Sequence, residues 1–208
     1  MLEKIAYNLG INNEEPNIKL SEELCSSEDK AGIKEIVNGL KDKNSQISSD
    51  CIKVLYEISY RKPKLVSEYV KTFIELLNSK NNRLVWGAMI AISKITEIVP
   101  DIVYENLDKI VKSYENGSVI TIDNAISVFA ELAKSKLEYE SKTFSIIIKH
   151  LETCRPKEVG QHAERAFICV NSRNKDIFKN ILLKRRDSLV DTQKKRVDKL
   201  LKKIENDL

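Results

Sequence analysis

The chain has 208 residues, of which 42% are hydrophobic and 32% charged, and a net charge of +4. Six glycines and four prolines leave few turn breakers, and the apolar content suffices for a sizeable core, which excludes a disordered chain and points to helices. No apolar run approaches the ~20 residues needed to span a bilayer, so no membrane insertion is expected. The four cysteines, Cys25, Cys51, Cys154 and Cys169, form no CxxC pair. With no signal peptide, free thiols in a reducing cytoplasm are expected.

In chain order, residues 2–9 and 14–27 read as an N-terminal helix pair. This region is acidic, with seven acids against three lysines in residues 1–30. A repeat then begins. Ile33, Ile36, Val37 and Leu40 recur 37 residues on as Val70, Phe73, Ile74 and Leu77. They recur again as Leu107, Ile110, Val111 and Tyr114, and as Phe144, Ile147, Ile148 and Leu151. The i, i+3, i+4, i+7 spacing is one face of a helix.

A second helix follows in each unit, with inward sets Cys51–Val54–Leu55–Ile58, Ala88–Ala91–Ile92–Ile95 and Ala125–Val128–Phe129–Leu132. The fourth set, Ala163–Ala166–Phe167–Val170, slips by one residue. Short polar turns ("KDKNSQ", "NSKNNR", "ENGS", "TCRPKE") join the paired helices. Pro63 and Pro100 are placed to open the next helix, where a missing N–H costs little. Residues 174–186 and 189–207 read as a C-terminal pair. Nine bases against three aspartates in residues 184–203 read as its solvated face, or as a contact for nucleic acid or a membrane.

The pattern predicts an all-α chain of about twelve helices in six pairs, with no strand. "FIELLNSKNNRLVWGAMIAISKITEIVPDIV" resembles a HEAT unit, and helix–turn–helix units of this length resemble the HEAT and armadillo-like repeat families. The resemblance implies one right-handed α-solenoid domain over 1–208. Residues 1–29 and 173–208 would be capping pairs around four regular repeats in 30–172. It also implies that the second helices line a concave groove.

The groove candidates follow from helical geometry. At about 100° per residue, Trp86 falls about 160° from Ala88, away from the seam with its own first helix. The equivalent slots hold Ser49, Asp123 and, allowing for the slip, Gln161, which is not a core pattern. Trp86 is therefore either a partner anchor or a ring folded over Met89 and Ile90. The same face carries Lys53, Tyr56, Tyr60, Ile90, Ser93, Glu97, Ser127, Ala130, Lys134 and Arg165, with Asp50, Gly87, Asn124 and His162 beside it. Asn124 and Gln161 are placed to hydrogen-bond a peptide backbone. Alternatively, Asp123 or Asn124 serves the helix start. Arg155 and Lys157, in "CRPKEVGQHAE", form either an anion site at a helix start or a solvated turn.

The sequence has no GxGxxG, P-loop, HExxH or zinc-ligand cysteine spacing. His150 and Cys154 stand i, i+4, but Pro156 follows closely and two ligands do not make a metal site. A nucleophile–base pair of Cys154 and His162 rests on geometry alone. The expectation is thus a non-catalytic scaffold that binds a protein or peptide, without cofactor or metal. The alternative is a nucleic-acid binder similar to the HEAT-like alkylpurine DNA glycosylases, with Trp86 and Asp123 as its working residues. Lys53, Lys134 and Arg165 against Glu97 and Asp123 give the row a weak field for that role. The sequence leaves partner identity and oligomeric state open.

Overall fold

A computed structural model describes residues 1–207, which are helical with no strand. Twelve α-helices occur among the described residues. They are α1 (Glu15–Ser27), α2 (Lys30–Gly39), α3 (Ser45–Arg61), α4 (Val70–Leu76), α5 (Asn82–Ile95) and α6 (Pro100–Glu105), followed by α7 (Leu107–Asn116), α8 (Val119–Ser135), α9 (Leu137–Thr153), α10 (Pro156–Ala166), α11 (Lys175–Arg186) and α12 (Asp191–Asp207). The chain divides into two compact units, Met1–Ala125 and Ile126–Leu208.

The expected helices follow one another in sequence as α2 and α3, α4 and α5, α7 and α8, α9 and α10, and α11 and α12. Their apolar sets are buried, apart from Val111, Tyr114, Ile148 and Phe167, which are half-exposed. The N-terminal pair differs from expectation. Residues 2–9 form only a 3-10 turn, Leu2–Lys4, before the chain passes to α1. The twelfth helix is instead α6, a short piece opened by Pro100 ahead of α7. Pro63 likewise opens a 3-10 turn, Pro63–Leu65, ahead of α4. Both prolines sit at a first turn, but the helix they open breaks before the long one starts.

Each second helix begins on a side chain that meets free backbone N–H groups, and these caps are themselves 37 residues apart. Asn44 accepts from the N–H of Gln46 and Asn81 from that of Arg83, both at 2.9 Å. Ser118 accepts from the N–H of Thr121 at 3.4 Å. At the fourth position, Glu158 reaches back to accept the N–H of Arg155 at 3.3 Å.

In the first unit α3 is central. It packs on α1, α2 and α5. Contact with α5 is close at Gly87, where an added Cβ would lie 2.6 Å from Cγ1 of Ile52. In the second unit α10 packs on α9, α11 and α12.

Candidate binding face of the second helices

In the first unit, the exposed side of α3 and α5 carries a row of three rings. Tyr56 and Trp86 lie 5.7 Å apart between centroids, and Tyr56 and Tyr60 lie 6.3 Å apart edge to face. Each ring carries a cation: Arg83 over Trp86 at 5.7 Å, Lys53 over Tyr56 at 4.7 Å and Lys94 over Tyr60 at 4.8 Å. Tyr56 is buried at 6% exposure, Tyr60 is open at 51%, and Trp86 lies between them, half-buried. Trp86 thus points off its own seam, as helical geometry requires, but leans on Tyr56 of the preceding repeat rather than standing free.

The face is deeper than its helical angles suggest. Lys53, Ile90 and Ser93 are buried, and in the second unit so is Ala130. Lys53 is covered because the N-terminal segment folds back over α3. Its ammonium sits 3.0 Å from Glu14 and 2.8 Å from Glu57. Burial opposes its charge, but hydrogen bonds to Glu57, Tyr56 and Glu14 outweigh that and hold its pKa above the usual lysine value. Burial would likewise push Glu57 up, yet Lys53 and Arg61 hold it below the usual carboxylate range. Asp50 also serves the fold: it accepts from the N–H of Tyr7 and from Asn17 Nδ2, both at 2.8 Å, which ties the N-terminal segment down.

Beside the rings lies a cleft of about 510 Å³. Ser49, Asp50, Asn81 and Arg83 line one side of it, and Tyr7 and Ile11 of the N-terminal segment line the other. Arg83 also pairs with Glu14. Arg83 was legible as the i+3 neighbour of Trp86. Glu14 had no local signal, because its partner is 69 residues away.

Two of the remaining candidates, Asp123 and Asn124, belong to the first unit. Asp123 is half-buried on the second turn of α8, so it does not cap the helix start; Ser118 does. Asn124 is buried, and its Nδ2 donates to the carbonyl of Ile120 at 2.8 Å, so it does not face a groove. In the second unit, Lys134 pairs with Glu131 at 3.7 Å and Arg165 donates to Ser127 Oγ at 3.0 Å. Gln161 is half-buried. Arg155 and Lys157 are exposed, and Arg155 is engaged with Glu158. His162 is fully buried and hydrogen-bonded to His150, so it is not a surface residue.

No helix among the described residues is long and apolar enough to cross a membrane. No family model matches the sequence, and no curated protein does. Solved structures do match. A designed armadillo repeat protein in complex with the peptide (KR)4 is 17% identical, with 91% of each chain covered and a TM-score of 0.67. Another designed armadillo repeat protein is 17% identical, covering 98% of this chain and 100% of its own, with a TM-score of 0.66. The karyopherin Kap121p bound to the SUMO protease Ulp1p is 15% identical, covering 95% of this chain and 22% of the karyopherin, with a TM-score of 0.66. With its recurring helix pairs and buried 37-residue pattern, the chain has the HEAT and armadillo-like repeat fold, an all-α solenoid.

Proposed function

We propose that the chain is a non-catalytic scaffold that binds an extended segment of a protein partner across α3 and α5. The observation that carries this reading is the row of Tyr60, Tyr56 and Trp86, part-open and backed by cations, beside a polar cleft. Rigid aromatic rings on a helical scaffold offer large contact area at low entropic cost. Ser49 and Asn81, which bond each other at 3.3 Å, also line the cleft, and a peptide backbone would bind there by competing for their remaining donor and acceptor capacity. The designed armadillo protein in complex with (KR)4 supports the idea that this fold holds extended peptides. In this reading residues 1–208 act as one solenoid domain, and the free cysteines suit a cytoplasmic protein.

The nucleic-acid alternative has less support, because the bases beside the aromatic row are paired with acids within the fold. Lys53 is held by two glutamates and Arg83 by Glu14. In the C-terminal region Arg186 pairs with Asp198, Arg196 with Glu164 and Lys179 with Glu205.

The test is selection of a displayed peptide library against the full chain, followed by affinity measurement for the selected peptides. Trp86→Ala and Tyr60→Ala are expected to cost about 2 kcal/mol each, roughly thirtyfold in affinity. Glu75→Ala, on an exposed position of α4, should cost nothing. Unchanged affinity in both aromatic variants would overturn the reading.

A further inference from the structure

We propose that His150, Cys154 and His162 form a binding site for a zinc-class divalent cation, in the second unit and independent of the aromatic row. His150 lies on the last turn of α9, Cys154 immediately after that helix, and His162 on α10. One ring nitrogen from each histidine and the cysteine sulfur all lie within 4.8 Å of one another. His150 Nε2 and His162 Nδ1 are 2.7 Å apart, and their ring centroids are separated by 4.7 Å.

This convergence has a local cause. Cys154 and Arg155 are both extended, as Pro156 requires of the residue before it. The chain therefore reverses in two residues, and α10 returns along α9 with His162 opposite His150. Arg185 holds the reversal in place from α11 by donating to the carbonyls of Leu151 and Cys154. Glu158 fastens the start of α10 through Arg155. The ligands are thus carried on positions fixed by other contacts, as a preorganised site needs.

The donor set suits zinc. Two imidazoles and one thiolate are borderline-soft ligands, and three protein ligands leave the fourth tetrahedral position to water. With Zn–N near 2.0–2.1 Å and Zn–S near 2.3 Å, tetrahedral ligand atoms stand about 3.3–3.6 Å apart. From 2.7 Å the imidazole pair must open by about 0.6 Å, and from within 4.8 Å the thiol must close by at most about 1.2 Å. Both histidines are buried, at 7% and 0% exposure, and Cys154 is half-buried. Binding breaks the S–H bond of Cys154, whose proton goes to solvent, and the hydrogen bond between the two imidazoles, whose proton moves to the other nitrogen of its own ring; one Zn–S and two Zn–N bonds form, with no change of oxidation state.

The test uses the full chain, stripped with a chelator and titrated with Co²⁺ and then Zn²⁺. One Co²⁺ per chain should bind with a thiolate-to-cobalt charge-transfer band and the intense visible bands of tetrahedral cobalt, and Zn²⁺ should bleach both. Cys154→Ser should abolish the charge-transfer band. It should also weaken Zn²⁺ binding about a hundredfold or more, since losing even an outer partner of a ligand costs 10–100-fold. Cys169→Ser, a buried thiol elsewhere in this unit, should leave the band unchanged. His162→Ala should weaken binding likewise. Because that ring is buried, its helicity must be checked, and His150→Gln serves as the second imidazole variant. Zn²⁺ should also protect Cys154 from alkylation in the native protein. Absence of the cobalt bands, their survival in Cys154→Ser, or no protection of Cys154 would overturn the site and leave His150 and His162 as a hydrogen-bonded pair only.

Discussion

The rings of Tyr56 and Trp86 are 5.7 Å apart with their planes tilted by 52°, and they meet because the residue after Trp86 has no side chain. A Cβ on Gly87 would stand 2.6 Å from Ile52 Cγ1 and 3.4 Å from Tyr56 Cδ1. Gly87 therefore sets how near α5 comes to α3, and with it the spacing of the aromatic row.

Gly87→Ala is expected to destabilise the fold by about 1–3 kcal/mol, as overpacking of a close helix contact does. The gain in helix propensity offsets at most about 1 kcal/mol of this. Chemical denaturation gives the value, and the Tyr56–Trp86 contact should loosen in parallel. A neutral or stabilising outcome would mean that the helix contact has slack.

The half-buried setting of Trp86 predicts intermediate fluorescence, with an emission maximum between those of free and fully buried indole. Iodide should quench it partially. Full quenching would place the ring in open solvent, and no quenching would place it in the core.

Lys53 bridges Glu14 and Glu57, so Lys53→Met should cost about 1–3 kcal/mol. The cost is reduced because Glu57 keeps Arg61 and Glu14 keeps Arg83. The cost also depends on pH. Glu57 is held below its ordinary 4.5, so its share is present above that pH and is lost as pH falls through the lowered value. Lys53 is held above its ordinary 10.5, so its share is present below that pH and is lost as pH rises through the raised value. The stability difference between wild type and Lys53→Met should be flat from about pH 5 to 10 and shrink at both ends. Denaturant titrations of both proteins across pH give the profile; a difference that stays constant into acid would remove Glu57 from the cluster.

Ala91 is fully buried on the inward face of α5, so Ala91→Asp should cost about 3–5 kcal/mol or prevent folding. Asp123, half-buried and away from the helix start, should tolerate Asp123→Ala with a loss below about 1 kcal/mol. Comparable melting losses in the two variants would reverse the assignment of faces.

Helix periodicity is a local property, and the sequence determined what depends on it. The 37-residue recurrence placed the helix pairs, and sets such as Ala88–Ala91–Ile92–Ile95 are buried as their spacing requires. The turns carried the caps at Asn44, Asn81 and Ser118, since a capping side chain serves the N–H groups just after it. What depends on distant segments was not legible. Angles about one helix axis show which residues leave its own seam, but not whether another segment then covers them. The segment before α1 does so at Lys53 and Asp50, through contacts spanning about forty residues. Packing also carried His162 inward to His150. The spacing of His150 and Cys154 offered two ligands on one face, and only the chain reversal at Pro156 brought in the third.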